Sequence, residues 1–501
     1  MTMAGRRWSI ESAFAGDSAT FRFAAFGGLS FGHDVALVAG VLRTLSRSLG
    51  LSALERGVVV GATKVGAALG AFGGAALMRS RGRPFAAAII VGTCETAGAV
   101  ASWMFASAAH SVAGLALSRI VLGVPIGALA VIVPVYIGEN AHTRTRGAVG
   151  ASYELSLCAG MILANALTWF RPAESLDVVL LSPAVVGFWC AIAFATAPES
   201  ARWLVRRGDV DGARDALRRS GRDASEAEEE LAEITTESDA MVDDANFWSA
   251  LVDATMGGVR EAISGEEKRA VRLALALACF NQLNASTSVI NYTPRVLRNI
   301  VAANGRSVGA DAADMDVYNL YTGLVVLFKT TGVAASMFYV DSIGRRPLLI
   351  FGSVAAGGGL TIACVGYAWN SVVVTLLGIC LFILAYSMSF ASIFWVVVSE
   401  FFSMRAKSSC AALVTATLFV SGAISDLLFP VLLSHTGAAT FAVYAVVCFV
   451  SALFAYVNVP ETARKPLRDV QNLLRDGQSR YVVVSSGVDA GASVELGRIG
   501  R

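Results

Sequence analysis

Long apolar runs alternate with short polar turns along almost the whole of this 501-residue chain. Each run approaches the roughly 20 residues that a helix needs to cross a bilayer. None shows the strict apolar–polar alternation of a barrel strand. Only helices and closed barrels satisfy their backbone in hydrocarbon, so the pattern predicts helices. Twelve spans are expected, six at 21–42, 57–78, 85–106, 111–137, 147–169 and 177–197, and six more at 270–294, 317–340, 347–368, 371–399, 408–432 and 438–458. Between the two sets stands a polar stretch containing GARDALRRSGRDASEAEEELAEITTESDA. It suits short surface helices or a mobile linker, and reads equally well as a plain connector or a regulatory element. The expected plan is an N-terminal segment (1–20), a six-helix bundle (21–197), a linker with short helices (198–269), a second six-helix bundle (270–458) and a tail (459–501).

Composition agrees with an all-α membrane protein. Hydrophobic residues make up 55% and charged residues 16%, where a soluble domain carries about 25% charge. Mean hydropathy is +0.61. The net charge of +2 carries no nucleic-acid signal, because the arginines are scattered at the ends of apolar runs. All eight cysteines fall inside apolar runs and lack metal-ligand spacing, so neither a metal site nor a disulfide framework is expected. The polar first twenty residues contain no cleavable signal core, which makes the first run a retained span.

Basic turns set the expected orientation. RSRGRP (79–84), TRTRG (143–147), GRRP (344–347) and MRAK (404–407) share one side with the linker, which the positive-inside rule places in the cytosol with both termini. Arg43, Arg47, Arg56, Arg295, Arg298 and Arg306 fall in the two longer loops on the other side and weaken the asymmetry. GAALMRSRGRP after span two and FYVDSIGRRP after span eight form an internal repeat. Duplicated halves with a binding site between them are a known transporter plan.

A series of motifs in order resembles the sugar porter family of the major facilitator superfamily. It comprises GGLSFGHD (27–34), SRIVLGVPIGALAVIVPVYIGENAHTRTRGA (118–148), PESARWL (198–204), NQL (281–283) with Asn291 and Tyr292, DSIGRRPLL (341–349), WVVVSEFF (395–402) and PETARKPL (460–467). The resemblance covers nearly the whole chain. It implies secondary transport of a small polar solute, a hexose or polyol before others, by alternating access and with proton symport. The plasma membrane is the expected location, with an internal membrane left open. No cofactor is expected, and no Walker sequence suggests direct ATP drive.

Away from the span ends, seven Asp, Glu, Lys or Arg residues lie within spans: Asp34, Lys64, Glu95, Arg119, Glu154, Lys329 and Asp426. Such residues are costly in hydrocarbon and are functional candidates by default. Asp34 stands about 20 Å along its helix, near the membrane centre. The resemblance gives Asp34 and Arg119 the role of a proton-coupling pair. His33 reads as a polar cavity-lining residue or a modulator of that proton. Lys64 is expected to pair with Glu95.

The expected solute site is Phe31, Glu154, Asn281, Gln282, Thr287, Lys329 and Trp395, all placed by the resemblance. Amides offer donors and acceptors to hydroxyls, and an aromatic face suits the C–H groups of a sugar. Glu154 and Lys329 replace the family's glutamine and asparagine. They either pair with each other across the cavity or recognise a charged or zwitterionic solute, such as an amino acid or organic acid. A membrane solute sensor is the lesser alternative. A membrane enzyme lacks a nucleophile–base set, and the four histidines are dispersed.

At the basic ends, Glu139 with Arg146, Glu199 with Arg202, Asp341 with Arg345, and Glu400 with Arg405 or Lys407 are expected to form a cytoplasmic latch between bundles. Arg79 stands where the family carries an acid. Gly66, Gly70, Gly73 and Gly74 are expected to permit close helix packing.

Overall fold

A computed structural model of the protein describes residues 18–141, 146–169, 176–238, 246–265, 267–304, 312–402, 407–463, 470 and 473–474. The described residues form helices and the turns between them. Six long helices make the first half: α1 (Ser18–Ser48), α2 (Ala53–Arg81), α3 (Arg83–Trp103), α4 (Val112–Asn140), α5 (Arg146–Trp169) and α6 (Leu176–Ala195). Five short helices follow: α7 (Ala201–Arg206), α8 (Val210–Arg219), α9 (Ala224–Ser238), α10 (Phe247–Val252) and α11 (Gly258–Ser264). The second half holds α12 (Lys268–Leu283), α13 (Ser286–Ala303), α14 (Ala312–Ile343), α15 (Arg345–Ala368), α16 (Val372–Tyr386), α17 (Ser392–Phe401), α18 (Lys407–Thr436) and α19 (Ala439–Asn458).

α12 with α13 makes the seventh span, and α16 with α17 the tenth. Among the described residues, eleven helical stretches are long and apolar enough to cross a membrane, and α5, which carries Glu154, completes the twelve. Large apolar side chains cover the outside, among them Leu69, Trp189 and Val373. In water such a surface would be an aggregation liability; in a bilayer it is the solvated face.

The helices outrun the apolar runs. Arg43, Arg47, Arg56, Arg295 and Arg298, expected in loops, lie on α1, α2 and α13. Hydropathy marks the hydrocarbon thickness, whereas a helix continues into the polar interface where charged side chains reach water.

Within the first half α2 packs on α4, and α1 on α5. Glycine makes the first contact close: a Cβ at Gly66 would meet the carbonyl of Ile120, and one at Gly127 the carbonyl of Ala67. Gly70 and Gly74 lie against Val124 and Ala128 in the same seam. Gly73, expected to do likewise, faces open space. The two halves meet mainly along α2 and α18, and again at α5 and α14.

Two spans are interrupted beside the interior. Between α12 and α13, Ala285 adopts φ 62°, and the Asn284 side chain accepts a hydrogen bond from the Ser286 N–H at 3.0 Å. Left-handed backbone is uncommon for alanine. A π turn at Ser387–Ala391 joins α16 to α17. Irregular backbone at membrane depth is tolerated where it lines a cavity, and both breaks do so.

The polar linker has its own small core. Ala201, Ala213, Leu217, Ala227, Leu231 and Ile234 pack α7, α8 and α9 together. Arg222 fastens this unit to the first half by donating to the Asn140 carbonyl at 2.7 Å. α10 lies against α2, where Arg79 pairs with Asp253 at 2.9 Å, and α11 lies against α18. Arg79 has therefore gained a linker partner.

Candidate functional site

One cavity opens between the halves, and Phe31, Glu154, Asn281, Gln282, Thr287, Lys329 and Trp395 all line it. Arg119, Lys64, Tyr386, Asn291 and Asp426 share the wall. The break in the seventh span explains part of this: it turns the end of α12 and the start of α13 towards the same space. Phe31 of α1 stands 6.1 Å from the ring of Phe419 on α18, an aromatic contact between the halves.

The amides are oriented by a hydrogen-bond chain. Gln282 donates to Asn281 Oδ1 at 3.0 Å, and the Tyr386 hydroxyl donates to the same oxygen at 3.0 Å. Asn281 in turn donates to the Phe390 carbonyl at 3.2 Å, in the π turn. Glu154 faces the Lys329 ammonium and the Trp395 indole. No contact ion pair joins Glu154 to Lys329; the acid comes from one half and the base from the other, and both line the cavity.

Behind this wall Asp34 is buried, 2% exposed, and does not line the cavity. The expected direct pair with Arg119 is not made. Arg119 is an electrostatic neighbour of Asp34, whereas His33 Nδ1 stands 3.4 Å from Asp34 Oδ1. Asp34 Oδ2 and Arg119 Nε are both without hydrogen-bond partners. His33 does not line the cavity: its Nε2 stands 3.1 Å from Ser182 Oγ of α6. Glu95 accepts a hydrogen bond from Ser30, one turn before Asp34 on α1.

Lys64 is not paired with Glu95. Its ammonium lies 3.0 Å from Asp426 Oδ2 on α18, and donates to Gln282 Oε1 at 3.1 Å and the Gly422 carbonyl at 3.4 Å. Chain neighbours α2 and α3 suggested the first partner; the packing of α2 on α18 supplies the second.

At the linker end two further ion pairs stand among the residues of the expected latch. Arg83 holds Glu139 at 2.8 Å, and Arg345 holds Glu400 at 3.1 Å. Each pair lies within one half. The Arg83 N–H donates to Glu199 at 3.1 Å, and the Arg345 N–H donates to Glu461 at 3.0 Å. A carboxylate at a helix N-terminus satisfies an orphan donor and opposes the helix dipole. Burial pushes the Glu199 carboxyl up to about 7, against the opposing pull of Arg83. Arg202 sits on α7 beside it. The side chains of Arg146, Asp341 and Lys407, all of Arg405, residues 1–17 and the tail beyond 474 lie outside the described residues. Arg83 and Glu461 make these contacts and stand in quoted motifs, yet the sequence did not single them out.

The comparisons with known proteins agree with this geometry. The chain is 28% identical over 462 residues to the probable metabolite transport protein CsbC of Bacillus subtilis, covering 90% of this chain and 93% of that protein. It is 28% identical over 476 residues to the arabinose-proton symporter of Escherichia coli, covering 91% and 93%. The proton:xylose symporter XylE bound to 6-bromo-6-deoxy-D-glucose shares the fold, with TM-score 0.75 at 22% identity over 92% of this chain and 100% of that one; XylE is from E. coli. The family model described as "Sugar (and other) transporter" matches residues 21–474, so the chain belongs to that family and is a multi-pass membrane transporter of the major facilitator fold.

Proposed function

We propose that this transporter carries a hexose or polyol together with a proton, by alternating access, across the plasma membrane with its linker in the cytosol. The observation that carries the reading is the cavity itself. It presents the Asn281 and Gln282 amides and the Trp395 indole to one enclosed space, with Arg119 in the wall and Asp34 buried behind it. Amides bind hydroxyls in either sense, and the indole face covers the apolar side of a sugar ring. Glu154 and Lys329 carry opposite charges, so together they present no net charge to a neutral solute. Relatives in the same family are named for arabinose with a proton and for polyols.

Coupling follows from two groups of the first half whose separation changes when α1 shifts against α4. Asp34 on α1 takes up a proton in one state and gives it up in the other, as Arg119 on α4 approaches or withdraws. Solute in the cavity biases the same motion, which links the two fluxes. At the linker end, Glu139, Glu199, Arg345 and Glu400, with Arg146, Arg202, Asp341 and Lys407 nearby in sequence, serve as the gate.

The test is uptake by purified protein in proteoliposomes from a panel of labelled hexoses, inositol, amino acids and organic acids. Uptake of a hexose or inositol is expected. Uptake confined to amino acids or organic acids would overturn the solute class and make Glu154 and Lys329 its recognition groups.

A further inference from the structure

Gly57, Gly61 and Lys64 follow one another at i, i+4 and i+7, which is a single face of α2. That face meets α18 at the end of the molecule away from the linker. A Cβ at Gly57 would lie 3.0 Å from Leu427 Cα, and one at Gly61 3.2 Å from the Ala423 carbonyl. Next along the face, Lys64 meets Asp426 and the carbonyl of Gly422. Gly422 leaves room for the lysine stem: a Cβ there would stand 2.7 Å from Lys64 Cδ. Asp426 is fixed by a hydrogen bond from Ser288 of α13. Lys64 belongs to the first half, and all of these partners belong to the second.

We propose that Lys64 is both the clasp that closes the halves on this side and the positioning residue for the Gln282 amide. This rests on the solute reading above. Lys64 donates to Gln282 Oε1, which leaves Gln282 Nε2 pointing to Asn281. Gln282 Oε1 has a second lone pair, so a solute hydroxyl can donate to it while Lys64 holds the amide in place. Separation of α2 from α18 must break the Lys64 contacts, and water entering between the helices can solvate both charges.

The test uses the full chain in nanodiscs, with spin labels attached through a keto amino acid at Leu54 and His435, both exposed at this end. The variants are Lys64→Leu/Asp426→Leu, which removes both charges and orphans neither, and the swap Lys64→Asp/Asp426→Lys. Without solute, the neutral pair is expected to raise the long-distance population at least tenfold, and the swap to return it to the short distance. Uptake of a labelled hexose or inositol, whichever the wild type carries, separates the second role. The neutral pair and the swap are both expected to raise KM about tenfold, the effect of losing one hydrogen bond from a charged group, because a carboxylate at position 64 cannot donate to Gln282 Oε1. Wild-type distances in the neutral pair would overturn the clasp; a wild-type KM in the swap would overturn the positioning role. If the wild type carries neither a labelled hexose nor inositol, the solute reading fails while the distance measurement still decides the clasp. If the neutral pair does not fold, the swap decides through its distance and KM.

Discussion

The two halves are alike at their linker ends and unlike in their middles. In the first half Gly82 (φ 97°) precedes Arg83, whose guanidinium holds Glu139 and whose N–H donates to Glu199. In the second, Gly344 (φ 100°) precedes Arg345, which treats Glu400 and Glu461 in the same way. Both N–H contacts span 116 residues of sequence. The backbone at each glycine is one that other residues rarely adopt. In mid-membrane the first half supplies Asp34, Lys64, Glu95, Arg119 and Glu154, whereas the second supplies Asn281, Gln282 and Trp395 with Lys329 and Asp426. A duplicated device stays paired where both halves do the same mechanical task. The centre diverges where, on the reading proposed above, the first half handles the proton and the second the hydroxyls.

The strongest way to break that contrast is to remove charge from the first half. Asp34→Asn is expected to abolish accumulation of solute against its gradient in proteoliposomes while leaving solute exchange; unchanged accumulation and pH dependence would take Asp34 out of coupling. At the linker ends the expected result is symmetry. Arg83→Ala and Arg345→Ala each leave a buried carboxylate without its cation, at a cost of about 3–5 kcal/mol. Thermal unfolding in detergent should show similar losses for both, and a loss in only one half would end the analogy.

A smaller effect is expected in the cavity. Glu154→Gln with Lys329→Asn makes the centre more uniformly amide, and KM for hexose should fall several-fold. Loss of all binding would show instead that the opposed charges build the site. The smallest effect concerns Glu199, whose carboxyl burial pushes up to about 7. A raised carboxyl favours folding while protonated, so its contribution is complete below the usual carboxylate range and is lost as pH rises through about 7. Stability of the wild type relative to Glu199→Gln should fall by about 1–3 kcal/mol between pH 5 and 8. A flat difference would mean that Glu199 stays charged throughout.

Much of this was legible in the chain. Span positions follow from apolar runs because hydrocarbon selects for them, but helix ends do not, since Arg295 and Arg298 continue α13 beyond the apolar stretch. All seven expected solute residues reach one cavity because motif order carries helix order. The Lys64–Asp426 contact was not legible: both residues were singled out, yet hydropathy does not say which helix of one half packs on which of the other. The seventh-span break was hidden for a similar reason. Asn284 and Ala285 carry no glycine or proline signal, and tertiary context decides their backbone.

The most direct measurement is proton movement on adding solute. Wild-type proteoliposomes holding a trapped pH dye, with no imposed gradient, would receive D-glucose or inositol outside. The expected result is acidification of the interior as solute enters, absent in Asp34→Asn. Entry of the solute with no change in interior pH would contradict proton coupling and leave a uniporter.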